Sequence, residues 1–360
     1  MLTKAEATNI YDELRAVSWQ ILEAIGCKRE PHYPVIRTKK WKHGIPRGLL
    51  YHYTNGPDGL KSMKWGNDPS WGNKGSSWQV TIFDRITSDK VGELWVKLCS
   101  KDLRIMFPVP VIIMADFRWS TWHGNWTNDM TMGVENRNCG YSGWTRVDKK
   151  NGIEKLGKEP HIEGGRKWEP YTREQMVCNV NLGRMVHAMF SLDPDWIMSH
   201  QCIWATKGDT GLAYPIHDVR SAVLSGEPID QLGWLLNHEM APDTNVDVDE
   251  EFEKEAFKKL EFRGDPGWLE WEEPEPEIEA QHEPEFAAQA LYKIGFNAGP
   301  ELPDEETIKK MVRWFQRSTQ AYAAHDKFPD AWALSCDGVC GPKTSAGLQR
   351  RLEQLRLTDV

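Results

Sequence analysis

Apolar and polar positions along the chain change their period several times, and each change predicts an element. Residues 1–26, MLTKAEATNIYDELRAVSWQILEAIG, repeat apolar side chains at helical spacing and predict an N-terminal helix. From about Gly44 to Ser225 come short runs rich in β-branched and aromatic residues: GLLYHYT, SWQVTIF, ELWVKL, VPVIIMAD and MTMGVEN. Loops of Gly, Asn and Trp separate them, and each run predicts a strand. The stretch IMFPVPVIIMA from Ile105 to Ala115 reads as a buried strand. A helix follows at YTREQMVCNVNLGRMVHAMFSL, with Thr172 and Gln175 spaced as a capping box and Met176, Val180, Met185 and Met189 on its apolar face. The expected fold is α/β, a mixed central sheet flanked by helices.

Between about Glu239 and Glu285 the pattern gives way to acids and prolines, as in WEEPEPEIEAQHEPEF, whose self-repulsion and stiffness predict an extended linker. Three helical segments follow: FAAQALYKIGF, EETIKKMVRWFQRSTQAYAA and PKTSAGLQRRLEQL. The predicted division is an N-terminal helical extension (1–43), a main domain (44–238), a linker (239–285) and a small three-helix domain (286–360).

Composition narrows the function classes. The chain has 360 residues, a formal charge of −9 and 40% hydrophobic residues, which suits a soluble globular protein and argues against a nucleic-acid binder. Its longest apolar run is far below the roughly 20 residues of a membrane span, so no membrane insertion is expected. The N-terminus lacks the basic start and apolar run of a signal peptide, and synthesis in the cytosol is expected. Seven scattered cysteines make no disulfide framework. Cys336 and Cys340, in CxxxC spacing, read first as packing thiols, with a redox bridge open after export.

The candidate chemistry lies in three segments. His52 ends the run GLLYHYTNG and is followed by turn residues, which puts its imidazole at a sheet rim. In HQCIWATKGDTG, His200 precedes a tight loop in which Lys207 and Asp209 flank Gly208, so one loop can present an ammonium and a carboxylate together. In WHGNWTNDMTMGVENRN, Glu135 sits on an alternating run that can aim it at the same rim as a proton shuttle. A catalytic zinc takes three such His and carboxylate ligands and keeps a position open. Asp209 also reads as a turn residue, and Cys202 as a rival ligand. His187 and His161 read as a helix-face and a polar-loop residue.

Taken in order, these motifs resemble the zinc amidase family of type 2 N-acetylmuramoyl-L-alanine amidases, which includes the peptidoglycan recognition proteins. The match runs from about Gly48 to Val223 and rests on His52-Tyr53-Thr54, Trp122-His123-Gly124, Asn128 with Gly133-Val134-Glu135, and His200 with Lys207, Asp209 and Gly211. The resemblance implies one zinc per chain, held by His52, His200 and Asp209. It also implies Glu135 as the base that activates water and Lys207 as the oxyanion stabiliser. His123, Trp122, Trp78 and Asn128 would line the substrate groove. The sequence departs from the family at Trp78-Gln79, where an aromatic hydroxyl or a His is usual.

A second resemblance is carried by DGVCGPKTSAGLQRRL and the preceding GF and VRWFQ, which are similar to a helical peptidoglycan-binding domain. Together the two imply a monomeric enzyme of the phage endolysin kind. It would wait in the host cytoplasm and then cut the bond between muramic acid and L-alanine in bacterial peptidoglycan. A recognition protein without catalysis and a virion-associated component are the alternative readings.

Overall fold

The computed structural model describes residues 1–27, 39–54, 59–67, 77–87, 89–138, 140, 161–163, 166–203, 210–211, 213–236, 284–297, 303–326, 334, 336–355 and 357. The chain divides into two units, Met1–Ser199 with Asp209–Asp247, and His200–Gly208 with Val248–Val360. The first is a mixed α/β unit around a five-stranded sheet.

Along the first unit run α1 (Lys4–Ala24), β1 (Lys39–Lys40), β2 (Gly48–Tyr53), α2 (Gly59–Asn67), β3 (Val80–Ile82), α3 (Lys90–Leu98), α4 (Lys101–Met106), β4 (Val111–Ile113) and β5 (Trp119–Ser120). They continue with β6 (Thr131–Asn136), β7 (His161–Glu163), β8 (Arg166–Trp168), α5 (Arg173–Phe190), β9 (Ile197–Ser199), α6 (Ile216–Ser225) and α7 (Gly233–Leu236). The central sheet has the order β4-β3-β6-β2-β9 and is parallel except for β4 against β3. Two further sheets are two-stranded, β1 with β5 and β7 with β8.

Register separates the two faces of the sheet. Leu49 pairs with Met132, and Tyr51, Val134 and Val80 lie side by side, so these apolar side chains share one face. They join residues of α1 and α5 in one buried cluster. The other face carries Leu50 and Gly133, then His52, Glu135 and Thr81.

Helix α1 starts at a reciprocal capping box between Thr3 and Glu6. It buries Ala7, Tyr11, Leu14, Val17, Ile21 and Leu22, so the N-terminal segment is part of the main core. Full burial of side chains such as Leu14 or Ile21 contributes about 2 kcal/mol each. Polar ties fix its register: the Ser18 hydroxyl accepts from Ile113 N (2.9 Å), and the Tyr11 hydroxyl accepts from Phe117 N (3.1 Å).

Helix α5 is capped by Thr172, whose hydroxyl accepts from Gln175 N at 3.2 Å. The Gln175 carboxamide does not close a capping box; it donates to Arg137 O at 3.0 Å. Met176, Val180 and Met185 are buried, and Met189 is half-buried.

Three local expectations are corrected. ELWVKL lies in helix α3, because Asp89 accepts from Val91 N and Gly92 N and so starts a helix that buries Val91 and Trp95. Ile105–Ala115 is not one strand: Ile105 and Met106 end α4, and only Val111–Ile113 are extended. His161 opens β7 rather than lying in a loop.

In the second unit the described helices are α8 (Pro284–Ile294), α9 (Glu305–Asp326) and α10 (Pro342–Leu355). Gln316 ties the α9–α10 connection by donating to Asp337 Oδ1 (2.9 Å), Val339 O (3.1 Å) and Thr344 Oγ1 (3.1 Å) and accepting from Gly338 N (3.0 Å). Among the described residues no helix is long and apolar enough to cross a membrane. The described cysteines are free thiols, Cys336 and Cys340 included. The acidic stretch predicted as a linker lies almost wholly outside the described residues.

Asp116 links α1 to the sheet by accepting from Arg15 (2.8 Å) and from the Arg118 side chain (2.8 Å) and backbone (2.9 Å). Burial works to raise its carboxyl, but these bonds outweigh it and hold the group below its ordinary value. A carboxylate lowered in this way stabilises the fold at neutral pH and loses that effect as pH falls through its folded value. Asp116→Asn is expected to cost about 2 kcal/mol at pH 7 and little in strong acid, measured by urea melts across pH.

Candidate active site

The in-register pairing of β2 with β6 sets His52 beside Glu135, and β3 adds Thr81 on Glu135's other side. In parallel strands such neighbours project from the same face, so the imidazole and the carboxylate stand together near the carboxyl ends of the strands. Beyond them, Tyr51 is in register with Ser199, the last residue of β9, and His200 follows it in the chain.

His52 is 2% exposed, and its Nε2 lies 3.2 Å from Nδ1 of His123. The two rings meet edge to face, 5.4 Å between centroids. The second nitrogen of His123, Nε2, lies 2.9 Å from the Thr131 carbonyl. His123, predicted for the substrate groove, is therefore in direct contact with His52.

The loop that carries His123 is built by side chains acting on backbone. Asn128 Oδ1 accepts from His123 N (2.8 Å) and Gly124 N (2.6 Å), and the residue is buried. Ser77 Oγ accepts from Trp122 N at 2.8 Å, and Trp122 is 39% exposed. Asn128, expected to line the groove, uses its side-chain oxygen to shape the loop, whereas Trp122 is partly exposed.

Trp78 is corrected from groove to core. It is 5% exposed, donates from Nε1 to Thr81 Oγ1 (2.7 Å), stacks on Trp65 and lies against Gly66 of α2. Gln79 is equally committed: Oε1 accepts from Gly133 N (2.6 Å) and Thr121 Oγ1 (2.8 Å), while Nε2 donates to Trp119 O (2.9 Å). Where the family resemblance puts a catalytic helper, this chain has two structural struts.

Lys207 and Asp209 lie outside the described residues. The chain just after Asp209 is held firmly: Tyr171 donates from its hydroxyl to Thr210 O (2.7 Å), and Gly211 has φ +83°. A Cβ at Gly211 would stand 2.7 Å from the Trp168 ring, so both backbone and space require glycine there.

In the second unit, His200 begins the short 3-10 turn His200–Cys202 and is 4% exposed. Gln201 Nε2 donates to Ile294 O (3.0 Å), Ser318 Oγ to Cys202 O (3.2 Å) and Arg351 Nη2 to Gln201 O (3.1 Å). The Cys202 thiol also points to Ile294 O, at 3.5 Å. His187 sits half-buried on α5.

A buried ionic cluster escaped sequence reasoning. Arg137, one residue past β6, meets Asp84 at 3.1 Å and also Glu169, with all three side chains at most 2% exposed. Asn138 adds a bond to Glu169 O at 3.0 Å. The three lie in ENRN, FDR and WEP, which have no shared spacing that would have paired them.

Among the described residues no three His, Cys, Asp or Glu side chains are grouped as a metal site. Of the expected ligands His52 and His200 are described, and an imidazole is a donor that zinc accepts. His52 is buried, engages a neighbour through one ring nitrogen, and stands beside a carboxylate.

No protein-family model matches the sequence, and no curated protein matches it. Solved structures that match at low similarity include two. One is the N-acetylmuramyl-L-alanine amidase AmiD from E. coli, in complex with anhydro-N-acetylmuramic acid-L-Ala-D-gamma-Glu-L-Lys. It shows 14% identity over 88% of this chain and 92% of that one, with a TM-score of 0.34. The other is AmpDh3 from Pseudomonas aeruginosa, in complex with an anhydromuramic pentapeptide. It shows 15% identity over 86% and 91%, with a TM-score of 0.35. Likenesses this distant carry no functional argument.

Breaking the ionic cluster leaves a buried charge without its partner. Arg137→Met is expected to cost about 4 kcal/mol, read from the shift in the urea midpoint. Replacing Asp84, Arg137 and Glu169 together by apolar residues should recover most of that loss.

Proposed function

We propose that this chain is a zinc-dependent hydrolase that cleaves the amide bond between N-acetylmuramic acid and L-alanine in bacterial peptidoglycan. The observation that carries the reading is the shared face and register of His52 and Glu135, with His200 following β9. It is supported by the ordered resemblance of the four motifs to zinc amidases.

His52, His200 and Asp209 would hold the metal, two imidazoles and a carboxylate being a common ligand set for catalytic zinc. When bound, zinc supplies a Lewis acid that polarises the scissile carbonyl and brings the pKa of water toward about 7. Glu135 takes the proton from the attacking water and returns it to the leaving amine. Lys207 would stabilise the oxyanion of the tetrahedral intermediate. Trp122, which is partly exposed, would offer a stacking surface to a sugar.

The C-terminal helices would serve as a wall anchor, by the resemblance of their closing DGVCGPKT motif to peptidoglycan-binding domains. The enzyme would act as a monomeric lysis factor, made in the host cytoplasm and released onto the wall.

Metal analysis of the purified chain is expected to find about one zinc per molecule, and Asp209→Ala should lose most of it. Wild-type protein that still releases muropeptide ends after zinc is stripped would overturn the reading. For Glu135→Gln, near-normal zinc content is expected, with turnover lower by about a hundredfold or more. Turnover is followed by the appearance of new N-terminal alanine.

A further inference from the structure

We propose that the C-terminal helices hold His200 where it meets a divalent cation, with Arg351 as the main positioning residue; the inference rests on the zinc reading above. The contacts that carry it lie within the second unit, to which His200 and α8–α10 all belong. His200 opens the turn His200–Cys202, which closes when Ile203 N donates to His200 O at 3.1 Å. The two residues after His200 are bonded to each of the three helices. Gln201 Nε2 (3.0 Å) and the Cys202 thiol (3.5 Å) donate to the carbonyl of Ile294, the last residue of α8. Ser318 of α9 donates from Oγ to Cys202 O (3.2 Å), and Arg351 of α10 donates from Nη2 to Gln201 O (3.1 Å).

Burial makes these bonds consequential. A guanidinium is costly to take out of water unless its donors are used. Arg351 is 2% exposed, with Nη1 on Gln354 Oε1 (3.2 Å) and Nη2 on the turn. The carbonyls at a helix end have no donors within the helix, and the turn supplies donors for that of Ile294. Attachment to a wall calls for none of these bonds. Fixing the backbone beside a ligating imidazole does call for them, because the ring can meet a metal only from a held position. The helices thus have a use in addition to the anchoring proposed above.

The test measures zinc affinity of full-length variants by competition with a chelator at neutral pH. Arg351→Met is expected to weaken zinc binding about 10-fold or more, the usual effect of removing a group that orients a ligating side chain. Ser318→Ala should weaken it less, because that hydroxyl also reaches Trp314 O at 2.9 Å. Arg351→Lys, which keeps the charge and a donor, should recover part of the loss. Arg313, exposed on α9, bonds Asp337 O instead of the turn, so Arg313→Met should leave zinc binding as it is.

Coupling of this kind is reciprocal, so zinc should in turn slow amide hydrogen exchange across Pro342–Leu355 of the wild-type chain. Unchanged exchange there on zinc loading would overturn the proposal even if no variant folds. A folded Arg351→Met that binds zinc as tightly as wild type would overturn it, as would equal weakening by Arg313→Met. A wild-type chain that binds no zinc would overturn the zinc reading itself, and this inference with it.

Discussion

The parallel register of β2 against β6 is the constraint on which the rest of the structure depends. A slip of one residue would turn His52 toward the helices and Tyr51 out of them, because side chains alternate between faces. Polar contacts lock the pairing at both ends. Met130 O accepts from Arg47 N and Gly48 N before the strands, and Asn136 O accepts from Thr54 N after them. Between these, Leu49, Tyr51, Met132 and Val134 commit one face to the core. What remains on the other face is a short polar row, and the proposed chemistry uses it.

That row depends on groups that do no chemistry themselves. Gln79 joins Gly133 of β6 to Thr121 and Trp119 of the loop, and Asn128 closes the loop around His123. From behind the sheet, Tyr214 donates to Asn179, Asn179 to Asn136, and Asn136 to the carbonyl of His52. Buried polar chains of this kind are favourable only when each member finds a partner, so they specify one arrangement of the strands.

Much of the fold could be read from periodicity, and much of the site could not. GLLYHY and TMGVEN form strands as their composition suggests, and the run after Thr172 is a helix. ELWVKL misled because its apolar residues suit either period; Asp89, a few positions earlier, decides for helix by capping. Motif position points to Trp78 and Asn128 but does not reveal whether a side chain is already bonded within the fold. Asp84 and Glu169 lie 53 and 32 residues from Arg137, and such a cluster exists only once the strands have been placed. His52 and His123 are 71 residues apart, and nothing in their spacing makes them neighbours.

The turn after β9 bears on how separable the parts of this protein are. His200–Cys202 continues a strand of the first unit, yet its backbone and side chains bond to Ile294, Ser318 and Arg351 of the helices. Cutting the chain in the acidic stretch would remove those partners and leave the carbonyls of Gln201 and Cys202 to water. The turn and the helices therefore pack as parts of one unit. Substitutions at Ser318 or Arg351 would therefore be felt at the backbone of a turn more than 100 residues away in sequence.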